Sequence, residues 1–173
     1  MVTAVGRHPA RRKQPARPRF DSPQQEVFLN LWRTYDRLRA LEDELFGRYE
    51  LTAQQYNALR LLRAVHPAKM PTLHLASRLI SRAPDITRLL DKLADRGLVE
   101  RHRPADNRRV VNVGITAGGI SLLDEIAAEV RACHKRQVGH LTTGEMKSLV
   151  DLLRKARRPH EPFDAHWGVE VSP

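Results

Sequence analysis

The stretch "DITRLLDKLADRGLVERHRPADNRRVVNVGIT" (residues 85–116) changes pattern halfway along. Apolar residues recur at helical spacing from Ile86 to Leu93, and Gly97 is placed to cap the end of that helix. Beyond Gly97, two short segments flank a Pro-Ala-Asp-Asn sequence, which is the pattern of two strands joined by a turn. The stretch therefore predicts a charged helix followed at once by a small hairpin, with its first strand at residues 98–103.

A short helix before this one completes a helix-turn-helix pattern. Residues 72–79 are predicted to be helical, and a turn follows at "ISRAP" (80–84). Pro84 can lie in the first turn of the next helix, because the N–H that it lacks would have no partner there. Two short helices, a tight turn and a hairpin predict a winged helix-turn-helix at about residues 50–116.

The segments around this unit have clear boundaries. Thr52 and Gln55 form a capping box that begins a helix, and "HPAKMP" (66–71) is predicted to break the chain, because proline at both ends forbids a helix. Amphipathic dimerisation helices are predicted at about residues 23–48 and 117–158. In the second region Thr116 can cap one helix, and Thr142 with Glu145 forms a capping box that begins another. The fold class is therefore mainly α with a small β-hairpin wing, a winged helix-turn-helix with N- and C-terminal dimerisation helices.

The apolar stripe on the first long helix favours a homodimer. It runs from Val27 to Leu45 and includes Trp32 and Tyr35, which is longer than a small winged domain can cover. Left unpaired, it would expose a large apolar patch. The alternative is an intramolecular helical bundle.

Positive charge is distributed unevenly. The 173 residues include 30 Lys and Arg against 20 Asp and Glu, which points to nucleic acid or an anionic membrane surface. Six of the basic residues lie in the first 20 positions, so we expect a disordered basic tail at residues 1–22. We also expect a flexible C-terminal tail at residues 159–173.

No apolar run approaches the roughly 20 residues of a membrane span, and one cysteine cannot form an intrachain disulfide. We therefore expect a cytoplasmic protein.

The outer face of the helix after Pro84 suits a DNA groove. Spacings of three, three and four place four charged residues in one predicted row: Arg82, Asp85, Arg88 and Lys92. Arg88 can pair with guanine, Asp85 can accept from a cytosine amino group, and Arg82 and Lys92 suit phosphates. Thr87 on the flank suits a phosphate or a thymine methyl group. The alternative is an ordinary solvated face with an Asp85–Arg88 ion pair.

The arginines of the hairpin favour DNA over that alternative. Four lie within nine residues: Arg101, Arg103, Arg108 and Arg109. They repel one another unless an anion is near, and so small a hairpin gains no stability from them. A turn here can place an arginine in a narrow minor groove. We therefore expect double-stranded DNA as the partner, with the helix in one groove and the hairpin in the next.

The order of these elements resembles the multiple-antibiotic-resistance regulator (MarR) family of winged helix-turn-helix transcription factors over about residues 24–157. The matching segments are "LTAQQYNALRLL" (51–62), "TLHLASRLISRAPDITRLLDKLADRGLVER" (72–101), "RPADNRRVVNVGITAGG" (103–119) and "LTTGEMKSLVDLLRK" (141–155). The resemblance implies a MarR-type domain at 23–158 and a homodimer, with each subunit on half of a pseudo-palindromic operator. It also implies a repressor that is released by a small aromatic ligand, a metal or an oxidant.

The resemblance also implies particular site residues. Counting back from Thr116, the family's wing arginine falls on Arg109, with Arg108 as second choice, while Asn107 stands at the position of the family's aspartate. An effector pocket between the dimer helices and the winged domain would be lined by Trp32, Tyr35, Tyr56 and His66. The alternative is that these aromatic side chains pack in the core.

Other functions receive little support from the sequence. No nucleophile with a neighbouring base and no glycine-rich phosphate loop stands out, so we expect neither a catalytic site nor a cofactor. His134 and His140 are six apart and cannot share a helix face as zinc ligands would, so no metal site is expected. Cys133 is expected to be a core thiol rather than an oxidant sensor.

A non-specific architectural DNA-binding protein is the alternative function. Asp85 on the groove face argues against it, because a carboxylate close to phosphates is tolerable mainly where it accepts from a base.

Overall fold

The computed structural model describes residues 20–80, 85–103 and 110–161. The helices found there are α1 (Pro23–Gly47), α2 (Ala53–Val65), α3 (Thr72–Arg78), α4 (Ile86–Asp95), α5 (Ala117–Val138) and α6 (Thr143–Arg157), followed by a 3₁₀ turn at Arg158–His160. The strands are β1 (Met70–Pro71), β2 (Val99–His102) and β3 (Asn112–Ile115). The predicted class, mainly helical with a small wing, is confirmed.

The chain divides within α1 into two compact units, residues 1–36 and residues 37–173. In the first unit, residues placed in the tail by the sequence contribute to the start of α1. The N–H of Gln25 donates to Ser22 Oγ at 3.1 Å, and the N–H of Asp21 donates to Gln25 Oε1 at 2.7 Å. Residues 1–19 and 162–173, the remainder of the two predicted tails, lie outside the described residues.

Side-chain caps begin the helices of the second unit. At α2, the N–H of Gln55 donates to Thr52 Oγ1 at 3.2 Å while the N–H of Thr52 donates to Gln55 Oε1 at 2.8 Å. Thr142 and Glu145 form the same reciprocal pair at α6, and Thr116 caps α5. Each cap satisfies helix N–H groups that have no partner inside the helix. The predicted helix starts are confirmed.

A three-stranded antiparallel sheet stands where the sequence predicts a two-stranded hairpin. The strand order is β1-β3-β2, with Met70 opposite Val113 and Val99 opposite Ile115. No helix crosses residues 66–71, as predicted, but the strand at Met70–Pro71 was not predicted. A strand of two residues is too short to show an alternating pattern, and Pro71 can stand in β1 because it lies at an edge of the sheet.

One core holds the end of α1 and helices α2 to α5 against this sheet, and α6 contributes no buried side chain to it. Its fully buried side chains include Leu59, Leu62, Leu75, Leu90, Leu93, Val113 and Ile126. Gly119 brings the first turn of α5 against the backbone before β2, since an added Cβ would lie 2.3 Å from the carbonyl oxygen of Leu98. Close packing explains a glycine that would otherwise weaken a helix start.

Apolar side chains remain exposed on the helices at the two ends. In α1 the group comprises Val27, Phe28, Leu29, Leu31, Trp32 and Tyr35, and in α6 it comprises Leu149, Val150 and Leu152. Within the described part of the chain, none of the helices combines the length and apolar character needed to cross a lipid bilayer.

Candidate nucleic-acid interface

Helix α4 presents two unpaired cations on its outer side. Arg88 and Lys92 are exposed and four residues apart, so they lie on the same face of the helix. Neither forms an ion pair with any of the described residues. The opposite face carries the buried Leu89, Leu90 and Leu93, which fix the helix on the core. The helix is therefore held firmly while its cations remain available to an anionic partner.

Asp85 does not belong to the predicted row of side chains. It precedes α4 as the N-cap, in an extended conformation, and its Oδ1 accepts from the backbone N–H of Arg88 at 2.9 Å. The four-residue row on one helix is therefore wrong at Asp85, and so is the alternative of a side-chain ion pair with Arg88. Pro84 and Arg82 lie outside the described residues.

Arg101 also departs from its predicted role. DNA was expected to supply the anion for the hairpin arginines, but Nη1 of Arg101 lies 2.6 Å from Asp91 Oδ1 and Nη2 donates to the carbonyl oxygen of Thr87 at 3.0 Å. Both partners belong to α4. Arg101 thus bonds strand β2 to the predicted recognition helix.

A groove runs between this helix and the wing. Its volume is about 560 Å³, and its lining residues are Pro71, Thr72, Leu73, Thr87, Leu90, Arg101, Arg103, Val110 and Val111. Arg103 is exposed at its rim. Arg108 and Arg109, the predicted minor-groove arginines, lie outside the described residues.

Two further links hold the parts of the winged unit together. At the start of α3, the N–H and the hydroxyl of Thr72 both donate to the carbonyl oxygen of Val111 at 2.9 Å. On the sheet, Lys69 Nζ lies 2.8 Å from Glu100 Oε1, and its hydrogen bond and charge lower the pKa of that carboxyl. Thr72 therefore joins α3 to the segment before β3, and the Lys69–Glu100 pair connects the residue before β1 to β2 across the sheet.

A third link, at the end of α4, was not predicted from the sequence. The guanidinium of Arg96 donates to the carbonyl oxygens of Glu50 and Tyr49 at 2.7 and 3.0 Å. The hydroxyl of Tyr49 in turn donates to Glu129 of α5, which raises the pKa of Tyr49. Backbone acceptors carry no sequence signal, so nothing in the residue pattern could have predicted the Arg96 contacts.

The four predicted effector-pocket residues have different surroundings. In the first unit, Trp32 and Tyr35 line a shallow groove of about 460 Å³ with Phe28 and Leu31. In the second unit, Tyr56 stacks on Phe46 with ring centroids 4.5 Å apart, and burial raises its pKa. His66 is exposed at the end of α2.

Tyr56 also lines a groove of about 390 Å³ between α2 and α5. Two arginines stand at this groove, Arg60 and Arg63, and its apolar wall includes Leu123 and Ala127. Asp124 Oδ1 lies 2.7 Å from Arg63 Nη2. The arrangement combines apolar surface with positive charge, which suits a small apolar anion.

Cys133 lies in the core, as predicted. Its side chain is buried, and burial first, then the nearby Glu42 carboxylate, raises the pKa of the thiol. Among the residues that the structure describes, no three His, Cys, Asp or Glu side chains gather as a metal site would require.

Comparison with known proteins places this arrangement in a family. The MarR family model matches residues 51–111. A MarR transcription factor from Planctomyces limnophilus is 55% identical, with 79% of this chain and 99% of that chain aligned and a TM-score of 0.64. A mutant of E. coli MarR, in complex with operator DNA, is 26% identical over 76% of this chain and 93% of that chain, with a TM-score of 0.68.

A relative regulated by a small molecule is also similar. BpsR from Bordetella bronchiseptica, whose DNA binding is regulated by 6-hydroxynicotinic acid, is 25% identical over 76% of this chain and 98% of that chain, with a TM-score of 0.65. The winged helix-turn-helix, the exposed cations on α4 and these likenesses lead to one assignment. The chain belongs to the MarR family of transcriptional regulators.

Proposed function

We propose that this protein is a sequence-specific regulator that binds double-stranded DNA in the cytoplasm as a homodimer, on a pseudo-palindromic operator. The observation that carries the proposal is the pair of exposed cations on α4, Arg88 and Lys92, on a helix whose other face is fixed in the core. A rigid helix with free cationic side chains is what contact with base edges in the major groove requires.

The side chains then divide between base and phosphate contacts. Arg88 is assigned to a guanine, which its guanidinium can bind through two hydrogen bonds, and Lys92 and Thr87 are assigned to the flanking backbone. Arg103 and the sequence-predicted Arg82, Arg108 and Arg109 complete the basic surface. Asp85 is assigned to the helix cap and Arg101 to the link with α4, because each already has protein partners.

The homodimer is supported by the exposed apolar side chains of α1. Phe28 and Trp32, whose rings lie 6.1 Å apart, are 61% and 62% exposed. A cluster of this kind is the usual centre of a protein–protein interface. The terminal helices of a second copy are therefore the proposed cover, and they hold the two winged units at a fixed separation.

Repression relieved by a small aromatic effector is the proposed mode of regulation. The groove at Tyr56, with its two arginines and apolar wall, supports an aromatic acid as the ligand class. The regulation of BpsR by 6-hydroxynicotinic acid shows that a family member responds to this chemistry. Titrating that acid into the DNA complex and following release is the first test of this mode.

Non-specific architectural binding is the second candidate, because one structural finding removes the argument against it. The carboxylate of Asp85 argued for base contacts when it was expected on the groove face, but it serves as the N-cap of α4. The residue therefore no longer separates the two functions.

Selection from a library of random duplexes separates them. Sequence-specific binding predicts an enriched inverted repeat after several rounds with the full-length protein. An architectural protein would bind the starting library as tightly as the selected one, and that result would overturn the proposal.

A further inference from the structure

The contacts of Arg101 divide the wing into a part that contacts DNA and a part that holds the recognition helix. One nitrogen of its guanidinium pairs with the Asp91 carboxylate and another donates to the carbonyl oxygen of Thr87. Thr87 and Asp91 are four residues apart, so Arg101 contacts two residues of a single turn on one face of α4. A planar group with two fixed donors resists both sliding and rotation of that turn.

The position of Arg101 in the sheet explains this contact. Val99 is buried opposite Ile115, and Arg101 lies opposite the buried Val113. Residues two apart in a strand share one side of the sheet, so Arg101 projects to the same side as Val99, where the core lies. Glu100 projects to the other side and pairs with Lys69. The arginine thus belongs to the inner face of the wing.

The rotation of α4 sets the direction of its free cations. Arg88 and Lys92 each follow directly after a residue that Arg101 holds, and one step along a helix turns the side chain by about 100°. Fixing Thr87 and Asp91 against β2 therefore fixes where Arg88 and Lys92 point relative to the wing. A small rotation would move the guanidinium of Arg88 away from the base edge that it contacts.

We infer that Arg101 and Asp91 form a positioning pair that sets the angle between the recognition helix and the wing, and that Arg101 is not itself a DNA contact. The inference rests on the proposed function, because it assigns a role in DNA binding. It assigns to Asp91, a carboxylate on the recognition helix, a favourable effect on binding to a polyanion.

The substitution Asp91→Asn distinguishes a positioning pair from a purely electrostatic effect of the Asp91 charge, because the two predict opposite changes in DNA affinity. Removing a negative charge close to DNA strengthens binding if electrostatics alone act. Loss of the positioning pair instead weakens binding to the selected operator by about tenfold, and it lowers the ratio of operator to random-duplex affinity. The matched control is Asp95→Asn, the same change one turn further along α4, which should leave operator affinity equal or slightly higher.

The dependence on salt separates positioning from phosphate contact. Arg101→Gln should weaken operator binding while leaving the slope of log affinity against log salt concentration unchanged. A lost phosphate contact would instead reduce that slope by about 0.9. Arg101→Lys, which keeps the charge but not the two-donor geometry, should show an intermediate loss, whereas full wild-type affinity would overturn the inference.

Urea unfolding of each full-length variant establishes that it is folded. If the Asp91→Asn variant does not fold, Arg101→Lys provides the test. Wild-type protein that binds no duplex would contradict the proposed function itself. Wild-type protein that binds its operator, together with an Asp91→Asn variant that binds equally well or better, would overturn the positioning pair alone.

Discussion

Helices α4 and α1 carry apolar stripes of the same period, yet the two stripes have different surroundings. In α4, Leu89, Leu90 and Leu93 are all buried, with exposures of 8%, 1% and 0%. In the first half of α1, Phe28 and Trp32 remain more than half exposed. The period predicted both helices, and the length of the α1 stripe favoured a partner over an intramolecular bundle as its cover.

The difference separates folding from assembly. The stripe of α4 is covered by residues of its own chain, so it contributes to the stability of the winged unit. The exposed stripe of α1 contributes little to the stability of a single chain, and in the proposed homodimer a second copy covers it. We therefore expect two kinds of mutational effect from side chains of similar hydrophobicity, a loss of stability in α4 and a loss of dimerisation in α1. Each can be measured separately.

The largest expected effect is on the core side of α4. Leu93→Ala should lower the free energy of unfolding by about 2–5 kcal/mol, because it removes buried methyl groups and leaves a cavity. Urea unfolding at fixed protein concentration measures the change. A loss below about 1 kcal/mol would show that α4 is not held by the core as described.

Trp32→Ala tests the other stripe. It should leave the helical circular dichroism signal almost unchanged while weakening dimerisation by about 2 kcal/mol, roughly 30-fold in the dissociation constant. Sedimentation over a range of concentrations measures this constant. Arg33→Ala, a neighbouring position off the apolar stripe, is the control. Unfolding of the chain by Trp32→Ala would place this side chain in the fold rather than in the interface.

Arg88→Ala tests the outer face of α4. It should cost about 1–3 kcal/mol of discrimination at one base pair, because the bidentate contact to guanine is lost. Repeating the duplex selection with the variant measures this. Lys92→Ala, assigned to a phosphate, should weaken all sequences alike. An unchanged preferred sequence with Arg88→Ala would contradict the assignment.

Arg109→Ala tests the predicted wing contact, which rests on the sequence alone. Loss of one contact in the minor groove should weaken all sites evenly and reduce the salt slope by about 0.9. Affinities at several salt concentrations supply the slope. Arg154→Ala on α6 is the control and should leave it unchanged. A salt slope unaffected by Arg109→Ala would remove this residue from the interface.

The smallest expected effect concerns the cap of α6. Hydrogen bonds from Thr142 lower the pKa of Glu145, so its stabilising contribution is present above the usual carboxyl range and is lost as the pH falls through the lowered value. Glu145→Gln keeps an acceptor that does not titrate. The wild type should be slightly more stable near neutrality, and the difference should vanish in acid. A difference that persists in acid would contradict this role.

Much of the fold could be predicted because its signals are local. The capping boxes at Thr52 and Thr142, and Gly97 with its φ of +67°, act within a few residues of themselves. Strand β1 could not be predicted, because two residues have no period and its partner β3 lies some 40 residues further along the chain.

The candidate site was predicted less completely, and the reason is physical. Charge on a helix or hairpin indicates an anionic partner only if no partner lies within the protein. Asp85 instead caps α4 by accepting from the backbone N–H of Arg88. Arg101 contacts Asp91 and Thr87, and these contacts depend on how α4 and β2 pack. The alternation of β2 could have placed Arg101 on the inner side, since it lies two residues after the buried Val99.

The most direct test varies the spacing between the two half-sites of the selected operator. If the paired α1 stripes hold two winged units at a fixed separation, inserting half a helical turn, about 5 base pairs, should weaken binding at least tenfold. The two halves would then face different sides of the duplex. Binding of equal strength at every spacing would show that the two reading helices act independently, which would contradict this account of the molecule.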